Sequence, residues 1–119
     1  MVYQLYIVGL ITKRMMAMTY YLKSGLGKRK VYSLCKEFVG DRVSFPAMVD
    51  CDFKRCRNNY WLTFSGYELG VFVFAGNARI CVSSKVWIEC DARFQYTQLF
   101  HTYVPFEYLK NNDFLRSVA

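Results

Sequence analysis

Hydrophobic and polar positions in the first forty residues predict one strand and two helices. Residues 2–8, VYQLYIV, combine β-branched and aromatic residues with partial alternation, which is typical of a strand. In residues 14–22 apolar side chains recur at i, i+3 and i+7, which predicts a helix. A second helix is predicted over residues 31–39, where apolar residues share one helical face and Gly40 follows as a stop signal. The glycine-containing, basic segment 24–30 between these helices is predicted to be a loop.

The middle of the chain predicts strands separated by turns. Residues 47–53 alternate as a strand, which places Asp50 and Asp52 on one face, either as a cation site or simply as the solvated face of the strand. Residues 54–59, KRCRNN, are predicted to form a basic turn. Residues 60–77 are ambiguous, but two glycines disfavour a helix and the VFVF run favours a strand.

The clearest local pattern lies in residues 78–90, ARICVSSKVWIEC. Two β-rich runs flank residues 83–85, SSK, and predict a hairpin with a three-residue loop. In that register one face is wholly apolar, and Arg79 on the other face meets Glu89 across the strands. This hairpin is expected to be central to the fold.

The period changes to a helical one after Phe94. Aromatic residues and leucine over residues 96–106 predict an amphipathic helix that Pro105 kinks or restarts, and residues 111–119 predict a last turn capped by Asn112. We therefore predict an α+β fold: a small mixed sheet with a central β-hairpin and two or three helices, the C-terminal helix packed on the sheet. A single domain, 1–119, is expected, with a basic N-terminal extension (1–44) and a core of hairpin and C-terminal helix (45–119).

Composition supports a packed domain with aromatic residues left over for its surface. The chain has 119 residues, of which 54% are hydrophobic, so disorder is not expected. Ten Tyr and ten Phe exceed what a core of this size can bury. Some rings must lie on the surface, where they can stack on bases or pack against a partner.

Positive charge is concentrated in the first half of the chain. Residues 1–58 hold eleven Lys/Arg and four acids, whereas residues 59–119 hold five of each, so the first half carries the whole net charge of +7. The first acid is Glu37. Such asymmetry indicates a polyanion or an acidic membrane as partner. We expect nucleic acid and no membrane, because the apolar run 2–11 is about half the length of a bilayer span and segments rich in tyrosine and broken by glycine make poor membrane anchors.

Side chains for catalysis and metal binding are sparse. The five cysteines form no CxxC pair and His101 is the only histidine, so we expect no metal, no cofactor and no small-molecule substrate. The sequence has no nucleophile elbow, and GLGKRK lacks the spacing of a phosphate-binding loop. The chain is therefore not expected to be an enzyme. Reduced, mostly buried thiols would favour an intracellular location.

Three cationic clusters, separated by tyrosine-containing segments, are the stronger functional signal. Several lysines and arginines that each neutralise a phosphate give tight, salt-sensitive binding without reading sequence. Unpaired bases could stack on the interleaved aromatic rings of Tyr20, Tyr21, Tyr32 and Tyr60. The cations proposed to bind RNA are Lys13, Arg14, Lys23, Lys28, Arg29, Lys30, Lys54, Arg55 and Arg57.

Short motifs over residues 45–119 resemble a known protein family. The motifs are Val49, Asp50 and Cys51 in a first strand, Asn59 and Tyr60 at a helix start, Gly76 and Asn77 before a hairpin, and the tail residues Tyr108, Leu109, Lys110, Asn111 or Asn112, Leu115, Arg116 and Val118. Together they are similar to the family of the eukaryote-specific large-subunit ribosomal protein numbered twenty-two. That family's final helix is rich in lysine where this chain reads TYVPFEY, so the resemblance carries over only Lys110 and Arg116 as RNA contacts.

The resemblance implies an α+β domain on the ribosomal surface that binds ribosomal RNA and has no enzymatic activity. We therefore predict a structural constituent of the large ribosomal subunit, in contact with ribosomal RNA and neighbouring ribosomal proteins, in the cytoplasm or in mitochondria. The alternative is an accessory, protein-binding subunit of a viral or mitochondrial assembly, in which the surplus aromatic surface is buried against protein.

Overall fold

Two antiparallel sheets and two helices make up the part of the chain that the computed structural model describes. Its backbone is described for residues 4–11, 14–23, 25–74 and 77–118, and its side chains for residues 22–23, 25–72 and 78–116. The elements are β1 (Gln4–Ile11), β2 (Arg14–Leu22), α1 (Lys28–Val39), β3 (Asp52–Cys56), β4 (Asn59–Phe64), β5 (Tyr67–Phe74), β6 (Asn77–Ile88), β7 (Arg93–Tyr103), α2 (Phe106–Asn111) and β8 (Leu115–Val118), with 3-10 turns at Met48–Asp50 and Glu89–Asp91.

A five-stranded meander in the order β3-β4-β5-β6-β7 forms the larger sheet. Alternation along the strands gives it one buried face, because successive side chains of a strand point to opposite sides. In β4 the alternate residues Tyr60, Leu62 and Phe64 are buried. The neighbouring strands add Leu69, Val71, Ala78, Ile80 and Val82 to the same core.

Helix α1 covers this buried face. Val31, Leu34, Cys35 and Val39 lie at helical spacing and are all buried. The helix ends at Gly40, whose backbone N–H donates to the Lys36 carbonyl oxygen at 3.0 Å. Helix and sheet thus bury their apolar sides against each other, which is the main source of stability in a two-layer domain.

The smaller sheet joins distant parts of the chain in the order β1-β2-β8. After the short helix α2, which buries Leu109, the chain turns and buries Phe114. The Lys23 N–H donates to the Phe114 carbonyl oxygen at 2.8 Å, next to the pairing of Leu22 with Leu115. The last described residues are thereby fixed to the segment between β2 and α1.

Two lysines hold this C-terminal segment. Lys23 donates to the Asp113 carboxylate, and the Lys30 ammonium lies 3.6 Å from the same side chain. Lys30 also donates to the Asn112 carbonyl oxygen at 3.2 Å and lies 4.7 Å above the Phe114 ring. The hydrogen bond from Lys23, with the charges of both lysines, lowers the pKa of Asp113 below its usual 3.8.

Replacing Asp113 with asparagine should loosen the C-terminal segment in a pH-dependent way. A carboxyl whose folded pKa is depressed adds stability above its unfolded pKa and loses it as the pH falls through the folded value. We expect Asp113→Asn to lower the melting temperature by no more than a few degrees at neutral pH, because the pair is exposed, and to have no effect well below pH 3.8. Asparagine also tolerates the positive φ of 64° at this position.

Thermal melts followed by circular dichroism across a pH series measure this difference. Asp41→Asn is the matched control, because Asp41 is exposed and the same charge is removed away from both lysines. A difference between wild type and Asp113→Asn that persists unchanged to the lowest pH would contradict the assignment.

The predicted α+β class with a helix near the C-terminus is confirmed, as are strand β1 and the strand interpretation of the described residues 60–74 and 77. Helix α1 ends at Gly40 as predicted, but it begins at Lys28, so residues 28–30 lie in its first turn and not in the predicted loop. Both sheets are antiparallel, where the sequence predicted a mixed sheet. The helix predicted over residues 14–22 is wrong, because strand β2 pairs with β1 on one side and β8 on the other. Asp50 lies in a 3-10 turn before β3, so it does not share a strand face with Asp52.

The central hairpin predicted at residues 78–90 is also wrong. Strand β6 runs unbroken through residues 83–85, and the turn comes later at Glu89–Asp91, where Ala92 adopts a φ of 49°. Arg79 consequently faces Tyr103 rather than Glu89. The helix predicted over residues 96–106 is strand β7 up to Tyr103, and the capped turn predicted near the C-terminus includes strand β8.

Candidate nucleic-acid interface

The sheet face opposite α1 carries aromatic and cationic side chains. Two adjoining clefts on it, of about 340 and 320 Å³, are lined only by strand residues. We call this surface the open face. The residues lining its clefts are Lys54, Cys56, Trp61, Thr63, Glu68, Gly70, Phe72, Arg79, Cys81, Ser83, Lys85, Tyr96 and Gln98.

Trp61 and Phe72 form an aromatic pair at the centre of the open face. Their ring centroids lie 5.7 Å apart with an interplanar angle of 86°. Gly70 makes this arrangement possible, because a Cβ atom there would lie 2.5 Å from the Phe72 ring and 3.3 Å from the Trp61 indole nitrogen. The absence of a side chain at Gly70 therefore lets both rings lie close to the sheet.

A two-stranded ribbon extends the open face beyond the sheet. Strand β5 starts opposite Ser84, so the last residues of β6 pair only with β7. The ribbon presents Trp87, Phe94 and Tyr96, with the Trp87 and Phe94 centroids 5.0 Å apart. The Lys85 ammonium lies 4.3 Å from the Phe94 centroid, a cation–π contact that fixes a charge beside the rings.

Positive charge collects along β3, which is the other edge strand of the larger sheet. Lys54 lines the same cleft as Trp61, Lys85 and Tyr96. Arg55 and Arg57 are exposed, and the Arg55 Nε–H donates to the Arg57 carbonyl oxygen at 2.8 Å. The Arg55 guanidinium lies against Gly25, in the segment that leads into α1.

The first turn of α1 brings a further cation, Lys28, near the start of β3. Lys28 and Arg29 lie in this turn, which has no acidic residue. Burial raises the pKa of Cys51, the residue before β3, and the nearby Lys28 ammonium partly offsets that effect. Two basic clusters that are separate in sequence thus flank one strand. We call Lys28, Arg29, Lys54, Arg55 and Arg57 the cationic edge.

The remaining predicted RNA contacts lie elsewhere. Lys23 and Lys30 hold the C-terminal segment through Asp113. Lys110 is exposed in α2 and Arg116 is exposed in β8. Lys13 lies outside the described residues, and Arg14 begins β2 with a side chain outside the described set.

Of the four tyrosines predicted to stack on bases, Tyr32 and Tyr60 have described side chains, and neither lines the clefts of the open face. Tyr60 is fully buried, stacked on Phe53, and its hydroxyl accepts a hydrogen bond from the Leu26 N–H at 3.2 Å. Tyr32 donates to the Pro46 carbonyl oxygen at 2.8 Å and packs edge-on against Phe45. The prediction for Tyr60 is therefore wrong. Tyr20 and Tyr21 have side chains outside the described set.

The sequence analysis did not select the aromatic residues and cations that the meander brings together. Trp61 and Phe72 occupy outward positions of β4 and β5. The sequence signal that could have identified them is the alternation of buried and outward residues along both strands. The sequence pattern predicts Lys85 in the hairpin loop 83–85 and Tyr96 in a helix. Correct strand assignment of β6 and β7 places both on the open face, because the two residues are cross-strand partners.

Metal and membrane features are limited in the described part of the chain. No group of three potential metal-ligating side chains is found there. No described helix is long and apolar enough to cross a bilayer.

All five cysteines are free thiols. Cys35 and Cys51 are buried whereas Cys56 and Cys90 are exposed, so fewer thiols are buried than predicted. Burial raises the pKa of Cys35 strongly, which keeps that thiol protonated.

No family model, curated protein or solved structure matches this chain. Function must therefore be inferred from the side chains of the interface itself.

Proposed function

We propose that this protein is a non-enzymatic RNA-binding protein that holds single-stranded RNA on the open face. The observation that carries the proposal is the placement of Trp61, Phe72 and Tyr96 beside Lys54 and Lys85 on one sheet surface that no described element covers. Aromatic rings on a sheet stack on unpaired bases, and adjacent cations neutralise the phosphates between them.

Unpaired strands fit this surface better than a duplex. The bases of a duplex are stacked on one another, so protein rings reach their faces only where bases are splayed out. The Trp61 and Phe72 rings can therefore stack only on bases that are not paired in a duplex. Glu68 lines both clefts and can accept a hydrogen bond from a base amino group. The open face would bind the bases while the cationic edge binds the backbone.

The RNA class that we propose is ribosomal. The resemblance of residues 45–119 to the large-subunit ribosomal family favours a structural constituent of that subunit, with neighbouring ribosomal proteins as further partners. Cytoplasmic ribosomes are the proposed location, with mitochondrial ribosomes as the alternative. Lys110 and Arg116 would add contacts from the C-terminal region.

A catalytic role has little support from the arrangement of His101. Cys81 and His101 are cross-strand partners, but within the described side chains no hydrogen bond joins the thiol to the imidazole. The His101 ring instead packs edge-on against Tyr103, at 5.6 Å between centroids. A nucleophile–base pair needs a hydrogen bond and a third group that orients the base. A binding role is therefore the better proposal.

The cationic edge can be tested by its salt dependence. We expect the triple variant Lys54→Gln, Arg55→Gln, Arg57→Asn to lower the slope of log affinity against log salt by about 2, since each phosphate contact on a single strand contributes about 0.7. Asparagine is chosen at position 57 because that residue has a φ of 58°. Fluorescence anisotropy of a labelled single-stranded oligouridylate measures the slope.

The control variant removes the same charge elsewhere. Lys36, Arg42 and Arg93 lie outside both the cationic edge and the residues lining the clefts, so Gln substitutions at these three positions should leave the slope close to wild type. An equal slope for the two triple variants would show that only net charge matters, and the proposed phosphate site would be rejected.

An accessory protein-binding subunit is the second candidate function. It is favoured by the exposed ribbon, where Val86, Trp87 and Phe94 present large apolar surface to solvent. Nuclease digestion of particles that contain the protein separates the two proposals. Release on RNA digestion supports RNA binding, whereas retention supports burial of the ribbon against another protein.

A further inference from the structure

The two edges of the five-stranded sheet differ sharply. Strand β3 is five residues long and carries Asp52, Lys54 and Arg55. Strand β7 is eleven residues long, and its residues 94–103 contain no Lys, Arg, Asp, Glu or Pro. Among the described strands, β6 is the only partner of β7. One edge is therefore protected against further strand pairing and the other is not.

Edge strands normally avoid pairing with other chains through charges, prolines, short length or bulges. The described irregularity in the pairing of β6 with β7 is a register shift between Val82 and Ser83, which leaves Leu99 as the extra residue of β7. Residues 94–98 remain a regular, uncharged stretch, FQYTQ, whose side chains are all exposed. Unpaired backbone groups of such a stretch are a template for another strand.

We propose that residues 94–98 pair antiparallel with the same residues of a second copy, about a two-fold axis at Tyr96. This register pairs Phe94 with Gln98, Gln95 with Thr97, and Tyr96 with itself. A cationic chain of +7 can approach its own copy most easily along an uncharged strand. Two copies of an uncharged strand also do not repel each other electrostatically, so the strand can pair with its own copy across a two-fold axis.

The proposed pairing would make one continuous ten-stranded sheet. A two-fold axis perpendicular to the sheet keeps both open faces on the same side, so the aromatic surface of one copy continues into that of the next. This inference goes beyond RNA binding by a single copy and does not depend on it, because it follows from the edge of β7 rather than from its face.

Disulfide trapping tests the register directly. In a Cys56→Ser, Cys90→Ser background, Tyr96→Cys should cross-link rapidly to a dimer under mild oxidation. Residues directly opposite in an antiparallel pair have Cα atoms about 4.5–5.5 Å apart, within the range that a disulfide spans. Tyr103→Cys is the matched control: side chains 96 and 103 are 50% and 53% exposed on the same strand, but the two copies of residue 103 would lie more than about 40 Å apart.

Sedimentation equilibrium on nuclease-treated protein gives an independent measurement. The wild type should approach twice the chain mass with rising concentration. Gln95→Lys with Thr97→Lys should stay monomeric, because like charges would then face each other across the axis. Ser33→Lys with Asn111→Lys adds the same charge at exposed helical positions and should dimerise like the wild type.

Circular dichroism checks that each variant is folded. A monomeric wild type throughout the concentration series, or equal cross-linking rates for Tyr96→Cys and Tyr103→Cys, would overturn the proposal. Rapid cross-linking of Tyr96→Cys alone, together with loss of the dimer in the Gln95→Lys, Thr97→Lys variant, would establish it.

Discussion

Replacing Trp61 with leucine should weaken binding of single-stranded RNA by roughly 5- to 150-fold, since one base stacked on an aromatic ring contributes about 1–3 kcal/mol. Leucine keeps an apolar side chain beside Phe72 but removes the flat π surface. Trp61→Phe is the conservative partner, and we expect it to retain most of the affinity because phenylalanine also stacks on bases.

The pair of variants separates stacking from simple hydrophobic contact. Affinity is measured by anisotropy with a labelled oligouridylate at fixed salt, because affinities at different salt concentrations are not comparable. The free energy of unfolding is measured for both variants so that a folding defect is not mistaken for a binding defect. If leucine and phenylalanine weaken binding equally while both variants stay folded, bases do not stack at Trp61.

Leu62→Ala should strongly destabilise the fold. Leu62 is fully buried on a central strand, between its partners Phe53 and Leu69. Removing buried methyl groups costs the transfer free energy and leaves a cavity, together about 2–5 kcal/mol. For a domain of this size we expect the melting temperature to fall by roughly 10–25 °C.

Chemical denaturation with urea measures the change in unfolding free energy. Thr63→Ala, the next residue of the same strand, is the control because its side chain points to the open face. Its effect should stay within about 1 kcal/mol, as for most substitutions outside a core. Similar losses for the two variants would mean that the buried face of the sheet has been assigned to the wrong side.

Local sequence signals predicted some elements and not others, for a physical reason. Helix α1 was predicted because its apolar face and its terminal glycine are both encoded within one short segment. Strand β2 was assigned to a helix because its methionines fall at helical spacing, yet its pairing partners β1 and β8 lie on either side of it in sequence. Tertiary pairing overrides weak periodicity of this kind.

The candidate site was less predictable than the fold class. Clusters of cations stand out in the sequence, but Lys23 and Lys30 bind Asp113. Lys85 lies on the open face, although its segment is predicted to be the loop of a hairpin. The aromatic pair of Trp61 and Phe72 depends on the register between β4 and β5 and on the glycine beneath it. A single sequence does not reveal such a register before the meander itself is known.

The pairing of β2 with β8 has a consequence for the order in which the chain acquires its structure. Thr19 pairs with Val118, 99 residues later, whereas the meander is built from hairpins between successive strands. Contacts that close long loops form late, because the chain loses entropy before it gains contacts. During synthesis the meander can fold before β8 has been made. Until then β1 and β2 lack the third strand of their sheet, and their unpaired edge is accessible to chaperones.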